Sequence, residues 1–553
     1  MSNLGHNKQR ASVEDVEWDL NKYGHLEFTY DNRNKMKDLL DRTGCGFCLA
    51  KWTQVTMHLG NGLTHSCHHP GAHKIPLEEI KKNPAALHNT NYKKERRKEM
   101  LNNQRPAECD FCWRVEDNGE ISDRVLKSMD QWSKPHHDMI NSLTGDEDWY
   151  PSYVEVSFAR TCNFKCSYCG PAFSSKWHEE IKQTGHYDIL NHKYNQIRDD
   201  EKHYAHNEDN PYIEAWWKWF PEAYKHMHTL RITGGEPLLC KDTFKVMDWL
   251  IENPNPELEF SVNTNACPPD KLWEKFIEKA KILTENNCVK KFAIYVSAEA
   301  TGPRTEYIRD GMDWDMFRRN VESFLDQTVN TRANFMCAFN FLSVTSFGDF
   351  LKWVLKLKQK YSYQGFFEWL EAEGITRHDF DEPSFKERKG MIGVSPNRIG
   401  IDIPYVRHPR FMDAQIVTME LIEKYLIPAV DFMYSNLGTP DWYSCSRFED
   451  WEAMKLKRIV VDCILKAKQD DDYTGLSNNY EVSKRRAEFA RFIEEYDNRR
   501  GKDFTAVFPE LTDFYELCMR EYRKLYNAPE DEVDWVSVPP EDENVETAQQ
   551  SGT

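Results

Sequence analysis

Residues 153–170 read YVEVSFARTCNFKCSYCG. Residues 154–158 alternate and favour extended backbone, so the stretch opens as a β-strand. It runs straight into Cys162, Cys166 and Cys169, spaced C-x3-C-x2-C. Three thiolates this close on one loop can reach three corners of an iron–sulfur cube. With no fourth cysteine in the loop, one iron stays open to a ligand that is not protein. A zinc knuckle or plain buried thiols are the alternatives at these residues, although zinc commonly takes a closed set of four ligands and the loop supplies three.

A strand followed by CNFKCSYC resembles the signature of the radical S-adenosylmethionine (SAM) enzymes. In that family the open iron chelates the amino and carboxylate groups of SAM, and the aromatic before the last cysteine, here Tyr168, lies near the adenine. A second strand, predicted over 229–233, leads into Gly234-Gly235-Glu236-Pro237. Two glycines permit close approach of backbone to a ligand, and a glutamate can accept from an ammonium. One strand–helix unit downstream of CNFKCSYC, this turn is similar to the family's site for the SAM amine. The third strand (258–262) ends in Asn263-Thr264-Asn265 and the fourth (292–296) in Ser297. Polar residues at the C-terminal ends of successive strands lie where a TIM-type barrel gathers its site. In the family this region contacts the SAM ribose and carboxylate, which makes Asn263, Ser297 and Arg309 candidates. Arg309 stands in SAEATGPRTEYIRDGMDWD, which with Tyr307 and Gly311 resembles twitch-type members of the family. It can fork onto a carboxylate or stand in a surface ion pair.

From residue 149 to about 420 the chain alternates strand-like and helix-like stretches, the mark of a parallel α/β architecture. A fifth strand over 333–342 is expected to be apolar on both faces. A sixth lies at either 365–370 or 399–405. The resemblance implies a partial TIM-type (β/α)6 barrel of the radical SAM type. IPYVRHPRFMDAQI resembles the last barrel strand and loop of twitch-type members. Its Arg407, His408 and Arg410 either line a substrate pocket or form a solvated loop. The tryptophans of EAWWKWFPEAYKHM read as core at helical spacing. Beyond 421 the chain reads as helical (417–434, 449–467, 480–497 and 511–525), and 529–553 as a disordered acidic tail.

Before the barrel, residues 41–125 hold Cys45, Cys48, Cys67, Cys109 and Cys112. Residues 55–67 read as a β-hairpin turning at Gly60-Asn61-Gly62. A hairpin that brings Cys67 near Cys48, with Cys109-x2-Cys112 returning after a helix, can build a four-thiolate site. Cys45-x2-Cys48 facing Cys109-x2-Cys112 would instead make a zinc ribbon. The order of Cys48, Gly62, Cys67, Cys109 and Cys112 resembles the twitch module, a shortened SPASM domain that carries an auxiliary iron–sulfur cluster, although here it precedes the barrel. Cys45 could replace Cys48 as a ligand. His68 and His69 could be ligands too but read as part of a solvated loop, and the basic run 93–98, broken by Glu95 and Glu99, reads as a solvated helix face.

At 553 residues, with 40% hydrophobic and 13% aromatic content, the chain can build several cores. Residues 1–40 are an N-terminal segment with a helix predicted at 34–42. The opening lacks the apolar centre of a signal peptide and no run approaches membrane-spanning length, so a soluble, cytoplasmic protein is expected. Fifteen cysteines then argue for thiols and metal sites over disulfides. The net charge of −18 argues against nucleic acid as a partner. The resemblance implies a [4Fe-4S] cluster, SAM, a second auxiliary iron–sulfur cluster and an electron donor such as a flavodoxin or ferredoxin. It implies an oxidoreductase or maturase acting on a peptide, a protein or a small metabolite. A nucleoside or sugar substrate, or a non-catalytic zinc protein, are the rival readings.

Overall fold

The computed structural model describes residues 12–20, 26–190, 192–197, 203–205, 208–328, 331–361, 374, 398–438, 446–469 and 479–527. An N-terminal hairpin pairs β1 (Gln54–His58) with β2 (Leu63–His65), and the short β3 (His73–Lys74) lies beside β2. β4 (Tyr153–Ser157) leads into the cysteine loop, and a small antiparallel pair, β5 (Tyr187–Ile189) and β6 (His192–Tyr194), follows. β7 (Thr229–Thr233), β8 (Asn255–Thr264), β9 (Val289–Ser297), β10 (Thr331–Met336) and β11 (Ile399–Asp402) complete the set. The nine-stranded sheet runs β11-β10-β9-β8-β7-β4-β1-β2-β3, and its strands from β11 to β4 are all parallel. This is a mixed α/β fold with the six parallel strands of a partial barrel, open at its edges.

One join is not legible in the sequence. β1 pairs in parallel with β4, placing Val55 beside Val154 and Met57 beside Val156. The cysteine-rich module therefore extends the barrel sheet instead of hanging from it. Its own smaller apolar core, around Met36, Leu39, Phe47, Trp52, Met100 and Ile140, lies to one side. The helix that opens that core is Tyr30–Thr43, longer than the 34–42 expected, and Thr29 caps it by accepting the Asn32 N–H.

Side chains alternate across each strand. On one face Val156, Ile232, Phe260, Ile294, Phe335 and Ile401 are buried in the main core, under helices Lys241–Glu252, Asp270–Glu285, Trp314–Gln327 and Phe347–Tyr361. The other face is polar and carries Glu155, Arg231, Asn263, Tyr295 and Asp402. This corrects the expectation for the fifth strand. It spans Thr331–Met336, not 333–342, and Arg332 and Asn334 alternate with Ala333 and Phe335 because its inner face looks into a polar interior. Residues 341–343 form a 3-10 turn instead, and Phe341 stacks on Phe514 of the C-terminal helix at 4.4 Å. The sixth strand is Ile399–Asp402; the other candidate, 365–370, lies outside the described residues, as does 529–553.

β11 is an edge strand, yet its backbone is not bare. The Glu452 carboxylate accepts the Ile401 N–H at 3.0 Å, and Lys358 Nζ donates to the Ile399 carbonyl at 3.1 Å. The two side chains pair at 3.1 Å with neither exposed. Charges thus occupy hydrogen-bonding groups that another strand would otherwise template.

Trp216 and Trp219 are core residues, as their spacing suggested. The basic run differs from expectation. Lys93 and Arg97, one helical turn apart, are buried, with Lys93 Nζ on Thr64 Oγ1 (2.9 Å) and Arg97 on Asn89 Oδ1 (2.8 Å). They brace helix Asn91–Leu101 against the hairpin, while Lys94, Arg96 and Lys98 form ion pairs on the outside. Among the described residues, no helix is long and apolar enough to cross a membrane.

Candidate functional site

Cys162, Cys166 and Cys169 stand on one loop beyond the C-terminal end of β4, each partly buried. The loop is pinned by its backbone. Lys165 N–H donates to Asp310 O (2.8 Å) and Ser167 N–H to Ile308 O (2.7 Å). The Cys166 carbonyl accepts Trp177 Nε1–H at 2.9 Å, and the Cys169 carbonyl accepts the Tyr194 hydroxyl at 3.3 Å. Burial raises all three thiols, Cys169 to about 12. Such thiols are poor nucleophiles and become thiolates when a cation takes up the charge.

The GGEP turn packs on the segment just before these cysteines. Gly235 N–H donates to Ala159 O (3.1 Å) and Glu236 N–H to Thr161 O (2.7 Å). A Cβ on Gly234, at φ +126°, would lie 2.7 Å from Ala159 O, and one on Gly235 would lie 2.4 Å from Thr161 O. Only glycine allows this contact. Glu236 is buried and fully engaged. Oε1 accepts Leu238 N–H (3.0 Å) and the Thr264 hydroxyl (2.8 Å), while Oε2 accepts Asn265 N–H (2.6 Å). It caps the short turn Pro237–Leu239 and ties the end of β7 to that of β8. Asn265 Nδ2 in turn donates to Asn163 Oδ1 at 2.8 Å, inside the cysteine loop. Asn163, unremarked in the sequence reading, is what joins three strand ends.

Burial pushes Glu236 up to about 7 despite those three hydrogen bonds. A carboxyl raised from 4.5 when folded contributes stability that is complete below about 4.5 and is lost as pH rises through 7. The melting temperature should therefore fall between pH 5 and 7 more steeply in the native chain than in Glu236→Gln. Parallel curves would place the titration elsewhere.

Tyr168 turns its hydroxyl onto Glu299 Oε1 (3.2 Å), and Arg309 forks onto Glu299 Oε2 through Nε (2.9 Å) and Nη2 (2.6 Å). Arg309 thus forms neither a surface pair nor an open clamp. It is a buried pair whose Nη1 lies 3.9 Å from Cys166 Sγ. Burial opposes its charge, but Glu299 more than offsets this and holds the guanidinium above its ordinary range. Arg500, at the end of helix Tyr480–Arg500, reaches the same loop. Nη1 donates to Lys165 O (2.6 Å), Nε to Glu180 Oε2 (3.1 Å), and the guanidinium lies 4.5 Å over Trp177. Glu299 lies within SAEATGPRTEYIRDGMDWD without being singled out there, and no local motif marks Arg500. Asn263 faces the interior and accepts Arg231 Nε–H at 2.9 Å, while Ser297 ends β9 opposite Met336. Arg407 and Arg410 are exposed, as in a solvated loop.

Residues 156–354 match the family model of the Radical SAM superfamily. This segment is a radical SAM domain. No curated protein matches the chain. The match runs from β4 into helix Phe347–Tyr361 and so includes the cysteine loop, the GGEP turn and Arg309, but neither β11 nor the N-terminal module. A domain of this family supports the general chemistry of radical SAM cleavage and implies a [4Fe-4S] cluster and SAM.

Outside the radical SAM domain, Cys48, Cys67, Cys109 and Cys112 line one small cavity. Cys45 does not line it; its Sγ lies 3.3 Å from Asn103 O. Beside the four thiols, Lys51 and Glu108 form a buried ion pair, and Arg124 is held by Glu116 and Asp41. His68 and His69 are not solvated as expected. Both Nε2 atoms approach Asp123 Oδ2, at 3.4 and 2.7 Å, and His69 stacks on Phe111. Among the described residues, no three cysteine sulfurs lie within 4.8 Å of one another. Tetrahedral zinc, with Zn–S of about 2.3 Å, would draw its sulfurs to about 3.8 Å apart. A further cavity, of about 200 Å³, lies on the inner face of the sheet. His68 and Lys127 line both this cavity and the one among the four cysteines.

Proposed function

We propose that the chain is a radical SAM oxidoreductase in which a substrate held inside the barrel lies between a catalytic and an auxiliary iron–sulfur cluster. The wall shared by the two cavities, built from His68 and Lys127, is the observation that carries this reading. Cys162, Cys166 and Cys169 would hold the catalytic [4Fe-4S] cluster. Cys48, Cys67, Cys109 and Cys112 would hold the second. When bound and reduced by a flavodoxin- or ferredoxin-like donor, the first supplies the electron that splits SAM into methionine and a 5′-deoxyadenosyl radical, which takes a hydrogen atom from the substrate.

The chain's residues position and shield. Arg309 and Arg500 brace the cysteine loop, Arg309 beside Cys166 Sγ and Arg500 on the Lys165 carbonyl. Because the Glu236 carboxylate is occupied, the GGEP turn would meet the SAM amine with the carbonyls of Gly234 and Gly235. Glu236 then acts by shaping that turn. Tyr168, Asn263 and Ser297 lie around the same strand ends and complete the candidate surface for SAM.

Anaerobic purification followed by iron, sulfide and zinc counts tests the reading, together with formation of 5′-deoxyadenosine under reduction. About seven to eight irons with no zinc fits two cubes. Zinc without iron would support the non-catalytic rival. Cys109→Ala should halve the iron content, to about four per chain, and soften the N-terminal module. An unchanged visible spectrum and iron count in that variant would remove the auxiliary cluster from the proposal.

A further inference from the structure

Two buried polar atoms in the wall of the inner cavity have no hydrogen-bond partner among the described residues. Arg231 is 6% exposed; its Nε donates to Asn263, its guanidinium lies 4.0 Å over the Tyr295 ring, and its Nη2 has no hydrogen-bond partner among the described residues. Gln54, on β1 two strands away, is 4% exposed, and its Oε1 is likewise without a donor. Buried donors and acceptors are nearly always paired, and two bare ones on residues that line one cavity mark a place for a ligand. The Asn263 bond and the Tyr295 ring hold Arg231 in the cavity wall, where Tyr153 and Glu155 also act on its charge. Glu155 stands beside Arg231 in the β4–β7 register and adds a carboxylate to the same wall.

We propose that this cavity binds the substrate as a free small molecule of amino-acid size, with an anionic oxygen group on Arg231 and a nitrogen donor on Gln54. The proposal rests on the reading of the chain as a radical SAM enzyme and narrows its substrate class. The cavity is smaller than the pockets of about 300–1,000 Å³ that take drug-sized ligands, and its lining is charged in both signs. A zwitterion matches that lining; an uncharged stretch of peptide does not. Arg231 supplies charge-assisted recognition of the anion, and Gln54, with Glu155 nearby, supplies acceptors for the ammonium.

The test titrates the full-length holoprotein anaerobically with individual free α-amino acids as probes, and with the same compounds N-acetylated and C-amidated, by saturation-transfer NMR. At least one free amino acid should bind, with its capped form weaker by about a hundredfold. Arg231→Gln and Gln54→Met should each weaken it by about tenfold or more, and Arg231→Lys should recover part of the loss. Gln54→Met is close to isosteric, so it keeps the test decisive if Arg231→Gln folds poorly. Binding by no free amino acid, equal binding of the capped forms, or unchanged affinity in both variants overturns the proposal. 5′-Deoxyadenosine formation by the native chain without probe separates the two levels. Cleavage without zwitterion binding refutes this site alone, and binding without cleavage upholds the site while refuting the enzyme reading beneath it.

Discussion

Cys166→Ala is expected to reduce 5′-deoxyadenosine formation to background while the chain stays folded. The cluster loop is held by Lys165 N–H on Asp310, Ser167 N–H on Ile308 and Trp177 on the Cys166 carbonyl, and none of these uses the thiol. Loss of the sulfur therefore removes a cluster ligand and little else. Circular dichroism and the melting temperature should change little, whereas chromatographic assay of the nucleoside should show none above the no-enzyme control. Arg309→Lys gives a graded comparison. Its Nη1 lies 3.9 Å from Cys166 Sγ without being a ligand, and lysine cannot reproduce the fork onto Glu299. A fall of about 10–100-fold is expected there, the usual cost of disturbing a partner that orients a metal ligand. Native-level cleavage by Cys166→Ala would remove the three-cysteine loop from the chemistry altogether.

The largest effect on stability is expected at the far edge of the sheet. Glu452→Leu leaves the Lys358 ammonium buried without a counter-charge and the Ile401 N–H without an acceptor. Breaking one side of a buried pair costs about 3–5 kcal/mol. Lys358→Met combined with Glu452→Leu removes the stranded charge and should recover part of that loss. It should not recover all of it, because the Ile399 carbonyl and Ile401 N–H remain unserved. Thermal midpoints of the three variants, with soluble yield recorded beside them, read the order directly. Equal midpoints for the native chain and Glu452→Leu would show that the pair does not protect β11.

Much of the fold was legible because spacing along the chain becomes spacing on a loop. Three cysteines within eight residues must share one loop, and GGEP one strand–helix unit later must sit at the neighbouring strand end. The parallel strand order followed from alternating strand-like and helix-like stretches. What escaped was set by distant chain. Arg500 lies more than three hundred residues beyond the loop it braces and reads locally as one more charge at a helix end. Glu299 stands in the same stretch as Arg309, yet its pairing with Arg309 and Tyr168 exists only once the chain folds. Lys93 and Arg97 were read as solvated because charge at helical spacing normally faces water. Here the hairpin covers them and supplies Thr64 and, through the neighbouring loop, Asn89 as partners. Arg231 looked like an ordinary alternating strand residue, and only the polar interior gives it meaning.

The parallel pairing of β1 with β4 has a consequence for assembly. As the ribosome delivers the chain, the hairpin that carries Cys67 emerges about a hundred residues ahead of the strand that completes its second edge. Contacts so far apart in sequence close late and slowly. The early hairpin therefore waits with one edge unpaired until β4 is made, so the N-terminal module and the barrel finish folding together.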